Sequence, residues 1–287
     1  MIFRYYYDVS ARLADFPFIF RENNCLQVRG VILDPVVKTF KFSKKKDLKY
    51  YPIPERVNIQ TEDDILRNLW KRAKESSESS QYGSDHVTAF SLTLAVDLTG
   101  MEAAEDNLRQ HQNHFSAFRK YRLESLNSDE NSSEQQGNIN RADPEKFWMD
   151  LKMACYGRSF AFTENGYYAL GPMITRPGNL CCVIFGARVP YIIRKIGTED
   201  HYRLVGEAYV HGVMHGEVKV IPDKGAEDII LCWSEEYCKS SASDTTVLAM
   251  STSSGKSTFH IRCKFGNFFW IARSERSVLG ARSEREF

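Results

Sequence analysis

No apolar run in this chain approaches the roughly 18–20 residues that a membrane-crossing helix needs. The opening stretch, MIFRYYYDVSARLADF, has neither the apolar segment nor the small-residue cleavage site of a secretory leader. Charge of one sign is missing as well. Lys and Arg number 38 against 37 Asp and Glu, and a net charge of +1 sets up no global field toward nucleic acid or anionic lipid. No two cysteines stand in a CxxC pair, and the seven present (25, 155, 181, 182, 232, 238, 263) follow no ligand spacing. They read as reduced thiols of a cytoplasmic protein, mostly small core residues. Also absent are GxGxxG, a P-loop and any Ser–His–Asp order. The expectations are therefore no metal, no cofactor, no nucleic-acid partner and no membrane.

What is present is strand signal. From residue 158 onward, short apolar or alternating runs are separated by turn residues, with no helical period between them. Residues 158–163 and 167–170 flank Glu164-Asn165-Gly166, and the Asn-Gly pair predicts a hairpin with φ > 0 at both central residues. Residues 180–185 form a continuous apolar run. Residues 189–196 alternate, and residues 202–213 run on through Gly206 and Gly212. Asn165, Gly166, Gly171, Gly178, Gly186, Gly212 and Gly216 are assigned to turns and bulges. Cys181 and Cys182, being adjacent on a strand, point to opposite faces.

Upstream, residues 26–33 and 36–42 read as a strand pair broken at Asp34-Pro35 and able to complete a barrel. Helices are expected from a Thr61–Asp64 start through Ala73, over residues 86–98, over 101–123, and from the Asp143 cap and Pro144 to Gly157. The fold class is α+β: a small antiparallel β-barrel, completed by N-terminal strands and packed with about four helices. The divisions run 16–126 for the strand pair and helices, 127–141 for a disordered loop, and 142–157 for the helix leading into the barrel. The barrel core follows at 158–233, and a low-complexity, irregular tail at 239–287. Lys44-Lys45-Lys46 reads as a solvated loop.

Residues 157–172, 177–194 and 202–218 resemble the C-terminal region of fungal heterokaryon-incompatibility (HET) proteins of the het-6 type. That family repeats phrases similar to gRrfFvTekGyiGLGP, pGDvvcvlfGgrvPfvLR and yrLvGecYVhGiMdGEa. Tyr209-Val-His-Gly212 and Met214-His-Gly-Glu217 carry the likeness most specifically. Residues 26–34 resemble the family's "L.vrGvi.D" strand, and residues 89–97 its "afwrTLv.D" helix, so the resemblance covers roughly residues 16–233. The chain departs at Gly178-Asn179, where the family has Gly-Asp, and at Ala169-Leu170-Gly171-Pro172, where it has GLGP; both are turn-compatible. The phrases of the family's N-terminal HET domain do not occur. The resemblance implies a non-enzymatic recognition or regulatory module in non-self recognition. Its implied partner is a protein, for instance a HET domain in another chain. The missing domain also raises the reading of a truncated gene fragment without activity.

Candidate chemistry is confined to a few side chains. His211, His215 and Glu217 give His at i and i+4 with a carboxylate outside the pair, flanked by Gly212 and Gly216. That predicts a turn, with a hydrolytic or small-molecule site as the alternative. Arg158, Arg188, Arg194 and Glu207 suggest an ion pair at the barrel mouth, or a grip on an anionic ligand. Tyr167, Tyr168, Tyr191, Tyr202 and Tyr209 suggest an aromatic binding rim. His111 and His114, one turn apart on a helix without a matching third ligand, read as a solvated or capping pair.

Overall fold

The computed structural model describes residues 7–9, 19–21, 24–43, 48, 64–76, 80–100, 102–124, 142–197, 200–217 and 225–232, and the backbone of strands between 244 and 277. The lysine cluster at 44–46, Thr61, the loop 127–141 and Cys238 lie outside the described residues.

The organising element is a single strand, β2 (Cys25–Lys41), 17 residues long, with the short edge strand β1 (Ile19–Arg21) folded back on it through Asn24, whose φ is 55°. Asp34-Pro35 was expected to split this span in two. Instead the ladder shifts register at Ile32/Asp34 and again at Val36/Lys38, so the strand bends without ending. That bend lets β2 serve two sheets.

Its first part pairs antiparallel with β11 (Glu227–Cys232), and its middle with β7 (Leu180–Ile184). β7 pairs with β8 (Tyr191–Ile196), β8 with β9 (His201–Glu207), and β9 runs parallel to β11. The circuit β2-β11-β9-β8-β7-β2 is a closed five-stranded barrel. The last part of β2 pairs with β5 (Arg158–Thr163), followed by β6 (Tyr168–Pro172) and β10 (Tyr209–Val210).

Strand alternation divides the side chains between two clusters. Cys182, Ile184, Ile193 and Leu204 join one core; Cys181, Val183, Ile192 and Val205 join the other. At Gly30 the backbones approach so closely that a Cβ would lie 2.5 Å from the Val183 carbonyl oxygen.

Four helices cover the larger core. α1 (Ile65–Glu75) is capped by Asp64, whose carboxylate accepts from the N–H groups of Leu66 and Arg67 and also pairs with buried Arg122. α2 (His86–Ala95) is apolar around its circumference and almost wholly buried. The expected helix over 101–123 is shorter. Leu98–Thr99 (β3) and Glu102–Ala103 (β4) form a hairpin around Gly100, and α3 (Leu108–Phe118) begins only after a 3-10 turn and ends in a π turn over residues 119–123. α4 (Pro144–Cys155) starts on the Asp143 cap with Pro144 at its first turn.

Other sequence expectations are corrected. Cys25 and Cys232 were read as reduced thiols, but the β2–β11 register sets them opposite each other, Cα atoms 4.1 Å apart, and they form a disulfide. Cys155, Cys181 and Cys182 are free and buried. The tail does not read as irregular over residues 244–277. β12 (Asp244–Ser253), β13 (Lys256–Phe265), β14 (Phe268–Phe269) and β15 (Ala272–Ser277) form a separate antiparallel sheet, built on the β-branched and alternating residues of that span.

Candidate functional site

The Tyr209–Glu217 stretch, the most distinctive phrase of the sequence, forms a corner where the second sheet meets the helical layer. His211 follows β10 directly, and Gly212 and Gly216 take φ of 81° and 89°. The stretch is a turn and not a helix, as its glycines predict. Val213 N–H donates to the Val210 carbonyl, and His211 N–H to the Tyr168 carbonyl.

Two separate parts of the chain hold this corner. Tyr82, just before α2, donates its hydroxyl to the His211 carbonyl at 2.9 Å and accepts the Tyr168 N–H at 3.1 Å. Asp8 N–H donates to the Met214 carbonyl at 3.2 Å. Tyr7 donates its hydroxyl to the carbonyl of Val96 and lays its ring edge-on to Tyr209 and His215, with centroids 6.0 and 5.6 Å away.

Across from the turn lies the end of α2. Val96 and Asp97 adopt φ of 49° and 55°, the left-handed region, where a β-branched valine is a marked outlier. The conformation is fixed by Asp97 N–H on the Leu92 carbonyl and by the Asp97 carbonyl accepting from Ala104 N–H. It turns a buried carboxylate, 5% exposed, toward the corner. Asp97 Oδ2 lies 3.7 Å from His215 Nε2. No donor among the described residues reaches Oδ1. Glu217 folds back to accept the His215 N–H at 2.6 Å. His211 Nδ1 is 3.0 Å from the Tyr209 hydroxyl. Burial lowers the His211 pKa, His215 adds to that, and the carboxylates of Asp97 and Glu217 oppose it.

The predicted site residues thus divide. His211, His215 and Glu217 come together, but beside Asp97, Tyr7 and Tyr82, which sequence reasoning did not single out. Asp97 ends the helix phrase of the resemblance, and that was the available signal. Among the described residues no group of three or more His, Cys, Asp or Glu is placed to hold a metal.

Arg194 donates to the Ile174 carbonyl at 2.9 Å and to Asn179 Oδ1 at 3.3 Å, ordering the β6–β7 connection. Arg188 gives its carbonyl to Val9 N–H. Burial lowers the Arg158 pKa to about 10, and the Glu207 carboxylate opposes the shift.

The expected aromatic rim is not there. Tyr167, Tyr168, Tyr191, Tyr202 and Tyr209 are all at most 8% exposed, because both faces of the sheet are covered: Tyr167 packs in one core and the other four in the other. Gly166, Gly178 and Gly186 take positive φ at turns, but Gly171 sits inside β6, where a Cβ would meet Thr175 Oγ1 at 2.9 Å. Asn165 is not left-handed. The three-residue β5–β6 loop closes with Thr163 and Tyr167 paired, and only Gly166 takes positive φ. His111 and His114 are buried, not solvated. His111 bonds Thr99 and Ser91, and His114 Nδ1 accepts the Asp143 N–H.

Residues 100–231 match the family model of the Het-6 beta-barrel domain. Over 82 residues the chain is 38% identical to heterokaryon incompatibility protein 6, OR allele, of Neurospora crassa, a match that covers 28% of this chain and 12% of that protein's length. No solved structure matches.

Proposed function

We propose that this chain, which carries a het-6-type barrel region over residues 100–231, is a non-enzymatic recognition module in fungal heterokaryon incompatibility. On this reading it binds a protein partner, in the first instance a HET domain carried by another chain. The relative's name supplies the biological setting. The observation that supports a recognition role is the corner itself. Tyr82 ties the Tyr209–Glu217 turn to the segment before α2, and Asp8 ties it to the N-terminal stretch, where Tyr7 packs on Tyr209 and His215, so the turn is held in place and is not a mobile loop.

Paired heterokaryon tests decide the matter. Deletion of the gene is expected to change growth or viability in at least one otherwise incompatible pairing, and the intact chain is expected to restore it. Co-expression with a HET domain in a host lacking both should retain that domain on immobilised barrel chain. Unchanged outcomes in all pairings, together with no retention, would overturn the reading.

A small-molecule or hydrolytic use of His211, His215 and Glu217 is the second reading. The proximity of His215 to Asp97 favours it, and the return of Glu217 to the backbone of His215 weighs against it, since that carboxylate is then held away from its assigned role.

A further inference from the structure

Among the described residues, Asp97 is a buried carboxylate with an oxygen that no protein donor reaches. Burying such an acceptor unbonded costs on the order of 1–3 kcal/mol, more when it is charged. The backbone that presents it is also unfavourable, with Val96 in a conformation that L-residues avoid. Two costs at one point, both aimed into one corner, need a counterpart.

The surroundings define what that counterpart is. Asp97 and Glu217 bring negative charge, and both act on His211, whose lowered pKa leaves its ring neutral near pH 7. The rings of Tyr7 and Tyr209 stand edge-on to each other, and those of Tyr7 and His215 likewise, against the same corner. A buried carboxylate oxygen beside aromatic rings suits a cation that also donates hydrogen bonds. On the outer side of the corner the His215 side chain is 37% exposed and Gly212 is exposed.

We infer that the Asp97 corner is a subsite for an ammonium or guanidinium group, which donates to Asp97 Oδ1 and lies against the Tyr7 and His215 rings. Its source is either a free small amine or the lysine or arginine side chain of a partner. For the second source alone the inference rests on the recognition reading above, and loss of that reading would leave the cation site standing.

The test uses the full chain and NMR. Methylammonium and ethylguanidinium are titrated while the ring resonances of His215 and Tyr7 are followed, with sodium as the ionic control. Saturable shifts with either organic cation and not with sodium are expected. They should weaken at least tenfold in Asp97→Asn, because asparagine keeps the left-handed backbone but loses the charge. Asp228→Asn, which alters an exposed carboxylate on β11, should leave them unchanged. A short peptide with one lysine, compared with its acetyl-lysine form, separates the sources: tighter binding of the peptide than of methylammonium assigns the site to a partner side chain, and equal or weaker binding to a free amine. If Asp97→Asn does not fold, the Asp97 carboxyl carbon resonance of the wild-type chain replaces it, and it must move on titration. Absence of saturable shifts, an equal response to sodium, or equal binding by a folded Asp97→Asn would overturn the inference.

Discussion

Asp34 on β2 accepts two hydrogen bonds from Asn165, one from its backbone N–H at 2.7 Å and one from its side-chain amide at 2.6 Å, across 131 residues of sequence. The carboxylate is buried and sits at the bend where β2 passes from the barrel to the second sheet, so one side chain fixes both the bend and the β5–β6 loop. Asp34→Ala removes both bonds, and the exposed Asn165 donors then turn to water. A loss of about 2–4 kcal/mol in unfolding free energy is expected from urea titration. Asn165→Ala removes only one bond and should cost about half as much.

Gly30 is where β2, β7 and β11 crowd together. A Cβ there would sit 2.5 Å from the Val183 carbonyl oxygen and 2.9 Å from Ile229 Cδ1. The first neighbour is backbone and cannot rotate away. Gly30→Ala should therefore destabilise the chain by about 1–3 kcal/mol, although its φ is not left-handed. Gly178→Ala is the contrast. It has open space around it and a φ of 82°, so the smaller loss expected, about 1 kcal/mol, comes from backbone conformation alone.

The strands after residue 157 were legible because two-residue alternation is a local signal, and β5 through β9 stand where it puts them. The helix starting at Asp143-Pro144 was legible for the same reason: cap and proline are neighbours. What escaped depends on residues distant in sequence. Whether Asp34-Pro35 ends a strand or bends it is decided by the pairing of Asp34 with Cys181 and of Pro35 with Leu180. The Cys25–Cys232 bridge spans 207 residues, and an odd cysteine count conceals it. Half the site was visible in the Tyr209–Glu217 phrase, but its carboxylate partner, Asp97, comes from the end of a helix more than 100 residues earlier.

The disulfide joins the first residue of β2 to the last of β11. Cross-linking so long a loop restricts the unfolded chain, and about 2–4 kcal/mol of stability is expected from it. Cys25→Ser, Cys232→Ser and the double variant should all lose the same amount, since each abolishes the same bond. Alkylation of the denatured chain before and after reduction, followed by mass spectrometry, should show two additional modified thiols after reduction, at Cys25 and Cys232.

His111 makes the fold sensitive to acid. Ser91 donates its hydroxyl to the Thr88 carbonyl, so it accepts from His111 Nε2, and Thr99 Oγ1 then donates to Nδ1. The imidazole is therefore held neutral. Burial lowers its pKa from 6.5 to about 4, with the neighbouring His114 adding to the shift. The folded value lies below the unfolded one, so above pH 6.5 the contribution is intact. As pH falls from 6.5 to about 4, the unfolded chain takes up a proton that the folded chain does not. Stability should fall by about 3 kcal/mol across that window. His111→Gln should flatten that part of the profile, even if it lowers stability at pH 7.

Tyr82 reaches the corner from the helical layer, where its hydroxyl is both donor to His211 and acceptor from Tyr168. Burial raises its pKa, so the group stays a hydroxyl and keeps both roles at any pH at which the chain is folded. Tyr82→Phe keeps the ring against Tyr168 and His211 but leaves one buried carbonyl and one buried N–H unsatisfied. The expected loss is about 1–3 kcal/mol. More telling is where the loosening falls. Since the hydroxyl ties β6 and the turn after β10 to the segment before α2, hydrogen exchange should quicken at Tyr168 and through residues 209–215 more than at the β2–β7 pairing in the barrel. Uniform acceleration over the whole chain would mean that Tyr82 contributes only to global stability and does not hold the turn in place. Local acceleration, joined to weaker cation binding at Asp97, would show that the fixed shape of this corner is what the tyrosine maintains.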